Sequence, residues 1–414
     1  MNETFRSLRE SRNFRRYFVG QSVSLAGTWM QSIAQGWLVL KLTGSVTQVG
    51  LIAAAQTLPI LILAPSAGLL IDRHDTRRVL LATQAVAGAL AGILGVLTVT
   101  GAVQLWMVYV LAGLLGVVTA VDNPARQSFV NELVAPDLIG NAVTLNTINI
   151  NAARVIGPGL AAAVIALVGV GPCFLLNAAS YVAVVFALAR IRPSELLPRR
   201  REDRQRGQVR EGLRYVWHND ALRVPLVMMA LIGTLTYEFT VSLPAMAKVT
   251  FHGSASTFGL LTGAMGLGAV MGGLITAGRP RHGLDVLIRQ AAIFGVAVLA
   301  AAVAPTLWLA VVALLGVGAT SLVFLARANT TMQLLAEPTK RGRVMALWTV
   351  AFLGTTPVGA PVIGFIGDHA GPRWSLVTGG VTALVAAGYG AVRRSRAVAR
   401  ELVDQDVEMA GALS

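Results

Sequence analysis

Three ionisable residues stand in stretches that are otherwise apolar. With residues at the edges of the long apolar runs counted to the loops, only Asp122 and Glu238 of the 20 acidic residues and only Arg154 of the 34 basic residues are left within the apolar interior. A charge at the centre of a membrane-spanning helix costs about 2.5–3.5 kcal/mol on insertion scales, so each of the three is a candidate for function. Glu238 lies in Thr234-Leu235-Thr236-Tyr237-Glu238-Phe239, roughly 24 Å along its run at ~1.5 Å per residue. A low dielectric favours the neutral form of a carboxyl. An acid that holds a proton there and yields it when rehydrated can couple transport to protons. The structural alternative is that Glu238 snorkels to the surface, or hydrogen-bonds Tyr237 or a neighbouring helix. Asp122 precedes Arg126 by four residues, so with Asp72 it reads first as a charge network, bent by Pro124, and second as a proton site.

Arg154 shares a helical face with Asn151 and Asn146, both within about 80° of it at ~100° per residue. That face can line a cavity for an anionic or phenolate-bearing solute, or Arg154 can pair across helices with Glu238 or Asp122. Neutral amides and aromatic residues extend the set: Gln31 and Gln35 one turn apart beside Trp29 and Trp37, Gln56, and Asn177 with Tyr181 at i,i+4. Amides with tryptophan suit an amphiphilic organic solute better than a small ion. The same residues serve equally as helix–helix hydrogen bonds and interfacial anchors.

The elements that must position these residues follow from composition. The chain has 414 residues, 55% hydrophobic and only 13% charged, with 43 glycines and a mean hydropathy of +0.66. A soluble domain is about 25% charged, so most of this exterior faces lipid. Twelve runs reach the ~20 residues needed to cross the hydrocarbon: 17–40, 46–71, 79–99, 103–124, 140–167, 171–190, 222–247, 255–278, 285–304, 306–327, 343–367 and 373–392. The first is read as a span and not as a signal peptide. Continuous apolar runs without alternation exclude a barrel. The fold class is therefore an all-α polytopic membrane protein of 12 transmembrane helices.

With both termini cytoplasmic, 30 of the 34 Lys and Arg lie on the cytoplasmic side, and only Lys41, Lys248 and Arg373 on the other. This positive-inside asymmetry accounts for the net charge of +14 and removes nucleic acid as a partner. The five histidines fall in or beside loops, Cys173 is the one cysteine, and no phosphate-binding Gly-x-x-x-x-Gly-Lys occurs. An enzyme, a metal site and internal ATP coupling are therefore not expected.

The chain divides into 1–190, a six-helix bundle; 191–221, a cytoplasmic linker with a short amphipathic helix; 222–393, a second bundle; and 394–414, a cytoplasmic tail. The halves repeat in the same orientation. Leu114-Leu115-Gly116-Val117 recurs at Leu314-Leu315-Gly316-Val317, Arg126 has a counterpart in Arg327, and Pro136, Gly140 and Leu145 match Pro338, Gly342 and Leu347.

Gly68-x-Leu70-x-Asp72-Arg73-x-Asp75-x-Arg77-Arg78 joins the second and third runs. This loop resembles the signature of the major facilitator superfamily, with Asp75 where glycine is usual; aspartate tolerates a left-handed turn. Gly157-Pro158-Gly159 is similar to an exporter motif of that family. Asp122-x-Pro124-x-Arg126-Gln127 and Gly342-Arg343-Val344-Met345-Ala346-Leu347-Trp348 resemble the branch of enterobactin-type siderophore exporters and macrolide or multidrug efflux pumps.

The resemblance implies two parallel six-helix repeats in a bacterial inner membrane, working as a monomer. It implies export of a small organic solute by alternating access, with the proton gradient as energy source and no cofactor. Uptake by the same fold, or a sensor or channel, are the alternatives. Gly68, Asp72, Arg73, Arg77, Arg78, Arg126 and Arg327 would form a cytoplasmic gate. In it, Asp72 would pair with Arg126 or cap the eleventh span near Gly342.

Overall fold

The computed structural model describes residues 5–197, 208–277, 283–337 and 340–412. A few side chains within its helices, Asp72 and Asn151 among them, lie outside the described set. So does the expectation that Asp72 latches the eleventh span.

Among the described residues there are twelve long helical spans: one (Arg12–Thr43), two (Val46–Arg73), three (Thr76–Val99), four (Leu105–Leu133), five (Ile139–Val168), six (Gly171–Ala189), seven (Asp220–Thr250), eight (Ala255–Ala277), nine (Leu284–Val303), ten (Leu307–Leu335), eleven (Arg341–His369) and twelve (Pro372–Ala412). Eleven are long and apolar enough to cross a membrane. Span one falls short because Gln21, Gln31 and Gln35 dilute the apolar residues that follow its basic first turns. Span twelve continues as helix far past residue 393, through most of the stretch expected to be a tail.

Local chemistry sets the ends. Ser11, Ser45, Asn219 and Thr306 each accept a backbone N–H at a helix start, satisfying donors the helix itself cannot. Gly44 and Gly169 terminate spans one and five at positive φ. Asp75 departs from the left-handed turn expected of it. Its φ of −65° is ordinary, and its Oδ1 accepts from the Arg78 backbone N–H at 2.8 Å, capping span three.

Packing partners repeat with an offset of six spans: two against four and eight against ten, three against six and nine against twelve. The structure also sharpens the register of the repeat. Gly116 approaches the Gln56 carbonyl, and the equivalent close approach in the second half is Gly318 to the Met265 carbonyl. That offset of 202 is the one shown by Pro136 and Pro338. Gly316, matched to Gly116 by local sequence, faces open space.

Spans seven and eleven are each broken, which no apolar run announces. Span seven stops at Leu235 and restarts at Phe239, with Glu238 at the restart. Tyr237 N–H reaches back five residues to Ile232 (3.2 Å), and Thr236 anchors the break through its hydroxyl to the Gly379 carbonyl (2.7 Å). Span eleven stops at Leu353 and restarts at Thr356, where Pro357 occupies a first-turn position that needs no N–H. The buried core is built mainly from alanine, leucine and valine, with phenylalanines among its largest side chains, while residues such as Leu167, Leu274 and Trp308 project outward.

Candidate substrate cavity and gates

The two breaks face one cavity. It holds about 210 Å³ and is lined from span one by Trp29 and Ile33, and from span five by Arg154 and Pro158. Tyr237, Phe239 and Leu243 contribute from span seven, and Phe258, Thr262 and Met265 from span eight. Ser321 and Leu325 of span ten and Phe352 and Thr356 of span eleven complete the wall. Irregular backbone is tolerated at membrane depth where it borders such a space. The walls are mostly aromatic and aliphatic, and Tyr237 stacks edge-on with Phe352 at 5.1 Å.

Arg154 supplies the cationic group of this lining. Its guanidinium lies over the Trp29 ring, 4.9 Å from the centroid, a favourable placement for a cation. It forms no ion pair with Glu238 or Asp122, and its buried Nε has no hydrogen-bond partner among the described residues. Gly157, one turn on, makes this arrangement possible. A Cβ there would lie 2.4 Å from Trp29 Cβ and 2.9 Å from the Ala26 carbonyl. Gly159 faces open space.

Glu238 is buried directly behind the lining. Its neighbours Tyr237 and Phe239 face the cavity, Thr356 of span eleven stands near its carboxyl, and its Oε1 has no hydrogen-bond partner among the described residues. Tyr237 does not bond it, donating instead to the Ser321 carbonyl at 2.9 Å. Asp122 is placed differently, near the basic end that carries the N-terminus. Its Oδ2 is 2.8 Å from Arg126 Nε, an ion pair in which the N–H is not aligned for a hydrogen bond. Its Oδ1 accepts from Thr83 and Gln84, each at 2.7 Å.

The remaining candidates scatter. Gln31 accepts from Asn177 at 2.6 Å, Gln35 donates to Gln56 at 3.3 Å, and Tyr181 meets Thr28 at 3.3 Å. These amides tie helices of the first half together and do not line the cavity. Asn146 is half-buried in span five. Sequence reading passed over Asn149 beside it, whose buried Nδ2 has no hydrogen-bond partner among the described residues. Arg77 donates to the Leu188 and Ala189 carbonyls (2.8 and 2.9 Å), capping span six. Arg73 and Arg78 are exposed, Gly68 lies within span two, and Arg327 is half-buried in span ten.

The linker contributes a helix, Gln208–Trp217, packed on the second half at the basic end. Glu211 pairs with Arg343 at 2.6 Å, and Tyr215 carries Lys340 over its ring at 4.3 Å. A hydrogen bond from Lys340 holds the Glu337 carboxyl below the usual carboxylate range.

The halves meet at the opposite end. Asp368, near the end of span eleven, accepts from the backbone N–H groups of Val46 (2.6 Å) and Thr47 (2.9 Å). It also accepts from the hydroxyls of Ser45 and Thr47, both at 2.6 Å. Lys248 donates to the Leu40 carbonyl at 2.8 Å. Gly50 lets spans two and eleven close: a Cβ there would stand 2.2 Å from the Ala360 carbonyl. Among the described residues, the hydrogen bonds seen between the halves are those of Asp368 and Lys248.

A family model described as a transmembrane secretion effector matches residues 3–408. The chain is a major facilitator superfamily transporter of that family. Among the relatives of this transporter, the staphyloferrin A transporter of Staphylococcus aureus is 26% identical over 63% of the chain and 66% of that protein. The multidrug efflux pump Tap of Mycolicibacterium fortuitum is 27% identical over 84% of the chain and 87% of the pump. Macrolide efflux protein A of Streptococcus pyogenes is 20% identical over 88% and 92%. The fold matches a bacterial homologue of the human lysosomal transporter Spinster in its inward-facing, unoccupied conformation. There the TM-score is 0.73 at 14% identity, over 92% of this chain and 96% of that one. A bacterial homologue of the iron transporter ferroportin in its inward-facing state matches with a TM-score of 0.72 at 15% identity, over 92% and 98%. The superfamily chain is a multi-pass membrane protein and not an enzyme.

Proposed function

We propose that this transporter exports a small amphiphilic organic solute from a bacterial cell across the inner membrane, by alternating access coupled to protons. The positive-inside asymmetry makes the basic end cytoplasmic, so the end held by Asp368 and Lys248 is the outer one. The observation that carries the reading is the cavity where broken spans seven and eleven meet spans one and five. It offers aromatic walls to an apolar body and the Arg154 donors to an oxygen acceptor, with a buried acid one residue behind the wall. Drug, macrolide and siderophore are the solute classes named by the relatives.

Glu238 is the better proton carrier of the two acids. Protonating Asp122 would dismantle an ion pair and leave Arg126 uncompensated, whereas Glu238 has no ion pair to lose. A solute entering from the cytoplasm would be released outward, and a proton from outside would reset the bundle. Inverted vesicles with an imposed pH gradient test this. Accumulation of at least one compound from a panel of drugs, macrolides and siderophores, abolished by collapsing the gradient, is expected. Uptake that ignores the gradient for every member would refute proton coupling.

A further inference from the structure

We propose that Asp368 and Lys248 form an outer latch, two charges of the second half docked on two helix ends of the first, whose release sets how often the protein opens outward. The proposal rests on the alternating-access reading above and adds the residues that bias it.

The two contacts have opposite sign and matching logic. A helix N-terminus presents unsatisfied N–H groups and partial positive charge, and a C-terminus presents unsatisfied carbonyls and partial negative charge. Asp368 meets the first kind at the start of span two, taking both the Val46 and Thr47 N–H groups plus two hydroxyls. Lys248 meets the partially negative end at Leu40, in the last turn of span one, where the carbonyl accepts from the ammonium at 2.8 Å in addition to the Gly44 N–H at 3.0 Å. A π-helical turn, Met246–Thr250, carries the lysine to this site. Both charges come from the second half and both receiving ends from the first, so neither contact survives separation of the halves at this end. Water replaces them on opening, and charge-assisted hydrogen bonds are about twice as strong as neutral ones. The equilibrium therefore depends on these few groups more than on the apolar contacts around them.

The geometry of spans two and eleven explains why an acid stands there. They pack closely and antiparallel, so the C-terminal end of one lies beside the N-terminal end of the other. Each ends in aspartate at the penultimate position: Asp72 in span two, and Asp368 in span eleven. The outer carboxylate, Asp368, is docked on its partner helix.

Double electron–electron resonance on the full-length protein in lipid nanodiscs tests the latch, with spin labels at Ala102→Cys and Pro305→Cys in a Cys173→Ala background. Both labelled positions are exposed, and they lie in outer loops of opposite halves. Asp368→Asn removes the charge and turns one acceptor into a donor facing donors. Its open-to-closed ratio is expected to rise at least about tenfold, since a hydrogen bond to a charged group carries about that weight. Thr47→Val removes one hydroxyl donor without touching the backbone and covers the case in which Asp368→Asn does not fold, with an expected rise of about fivefold. Lys248→Met should move the ratio the same way. Distance distributions identical to the parent in all the variants that fold would overturn the proposal. A shift in these distances without proton-linked transport of any solute would uphold the latch and refute the exporter reading. Proton-linked transport with unmoved distances would do the reverse.

Discussion

Gly157 and Gly159 flank the same proline, yet alanine at the two positions should act in opposite directions. At Gly157 the added methyl would sit 2.4 Å from Trp29 Cβ, 2.9 Å from the Ala26 carbonyl and 3.1 Å from Met30 N. Ordinary carbon contacts lie at about 3.5–4.0 Å, so spans one and five must separate by roughly 1 Å. All three neighbours are backbone atoms or a Cβ, so no rotamer relieves the clash. Overpacking of this kind costs about 1–3 kcal/mol, against a helix-propensity gain of at most about 1 kcal/mol for Gly→Ala. At Gly159 nothing lies within 4 Å, so only the gain remains. Gly157→Ala should therefore lose up to about 2 kcal/mol and Gly159→Ala should be neutral or slightly stabilised. Thermal unfolding of the purified proteins in one detergent reads the sign. Transport should fall for Gly157→Ala alone, because separating the spans lifts Arg154 from Trp29. Equal effects at the two sites would refute the close-approach reasoning.

Other substitutions separate structural from transport roles. Asp122→Asn strands the Arg126 guanidinium and should destabilise by about 2–4 kcal/mol in the same unfolding assay; breaking one partner of a buried pair lies near the top of that range. Arg126 is partly exposed, and adding Arg126→Gln should recover part of the loss. Tyr237→Phe removes the hydrogen bond to Ser321 and should cost about 1 kcal/mol, with a modest change in solute affinity measured by fluorescence quenching. Arg154→Gln removes the cationic donor and should weaken binding of an oxygen-rich solute about tenfold or more, with a stability change no larger than the ~0.5–2 kcal/mol of the Trp29 contact it also removes; unchanged affinity would place the solute elsewhere.

The spans were readable because a ~30 Å hydrocarbon slab imposes one long apolar run per crossing, and the Asp122–Arg126 spacing was readable because i,i+4 neighbours face each other. The breaks at Tyr237-Glu238 and Gly354-Thr355 were not. Both half-helices stay apolar, and the interruption is held by tertiary bonds such as Thr236 to Gly379. For the same reason Phe352, Thr356 and Ser321 were missed as cavity residues, although Pro357 was a visible restart signal. Gln31, Gln35, Gln56 and Asn177 could be read as cavity or as glue because an amide serves both, and only partner geometry separates the uses. Asp368 fell one residue beyond the assigned eleventh span. The antiparallel pairing that gives it meaning exists only in three dimensions.

Proton-coupled transport by Glu238→Gln in proteoliposomes, set beside the parent protein, tests the central claim most directly. The amide keeps the size and polarity of the side chain while removing the exchangeable proton. With a fluorescent pH reporter inside the vesicles, the parent should show solute-dependent proton movement, and Glu238→Gln should bind the solute but show none. Proton movement in Glu238→Gln equal to the parent's would contradict the assignment of Glu238 as the carrier.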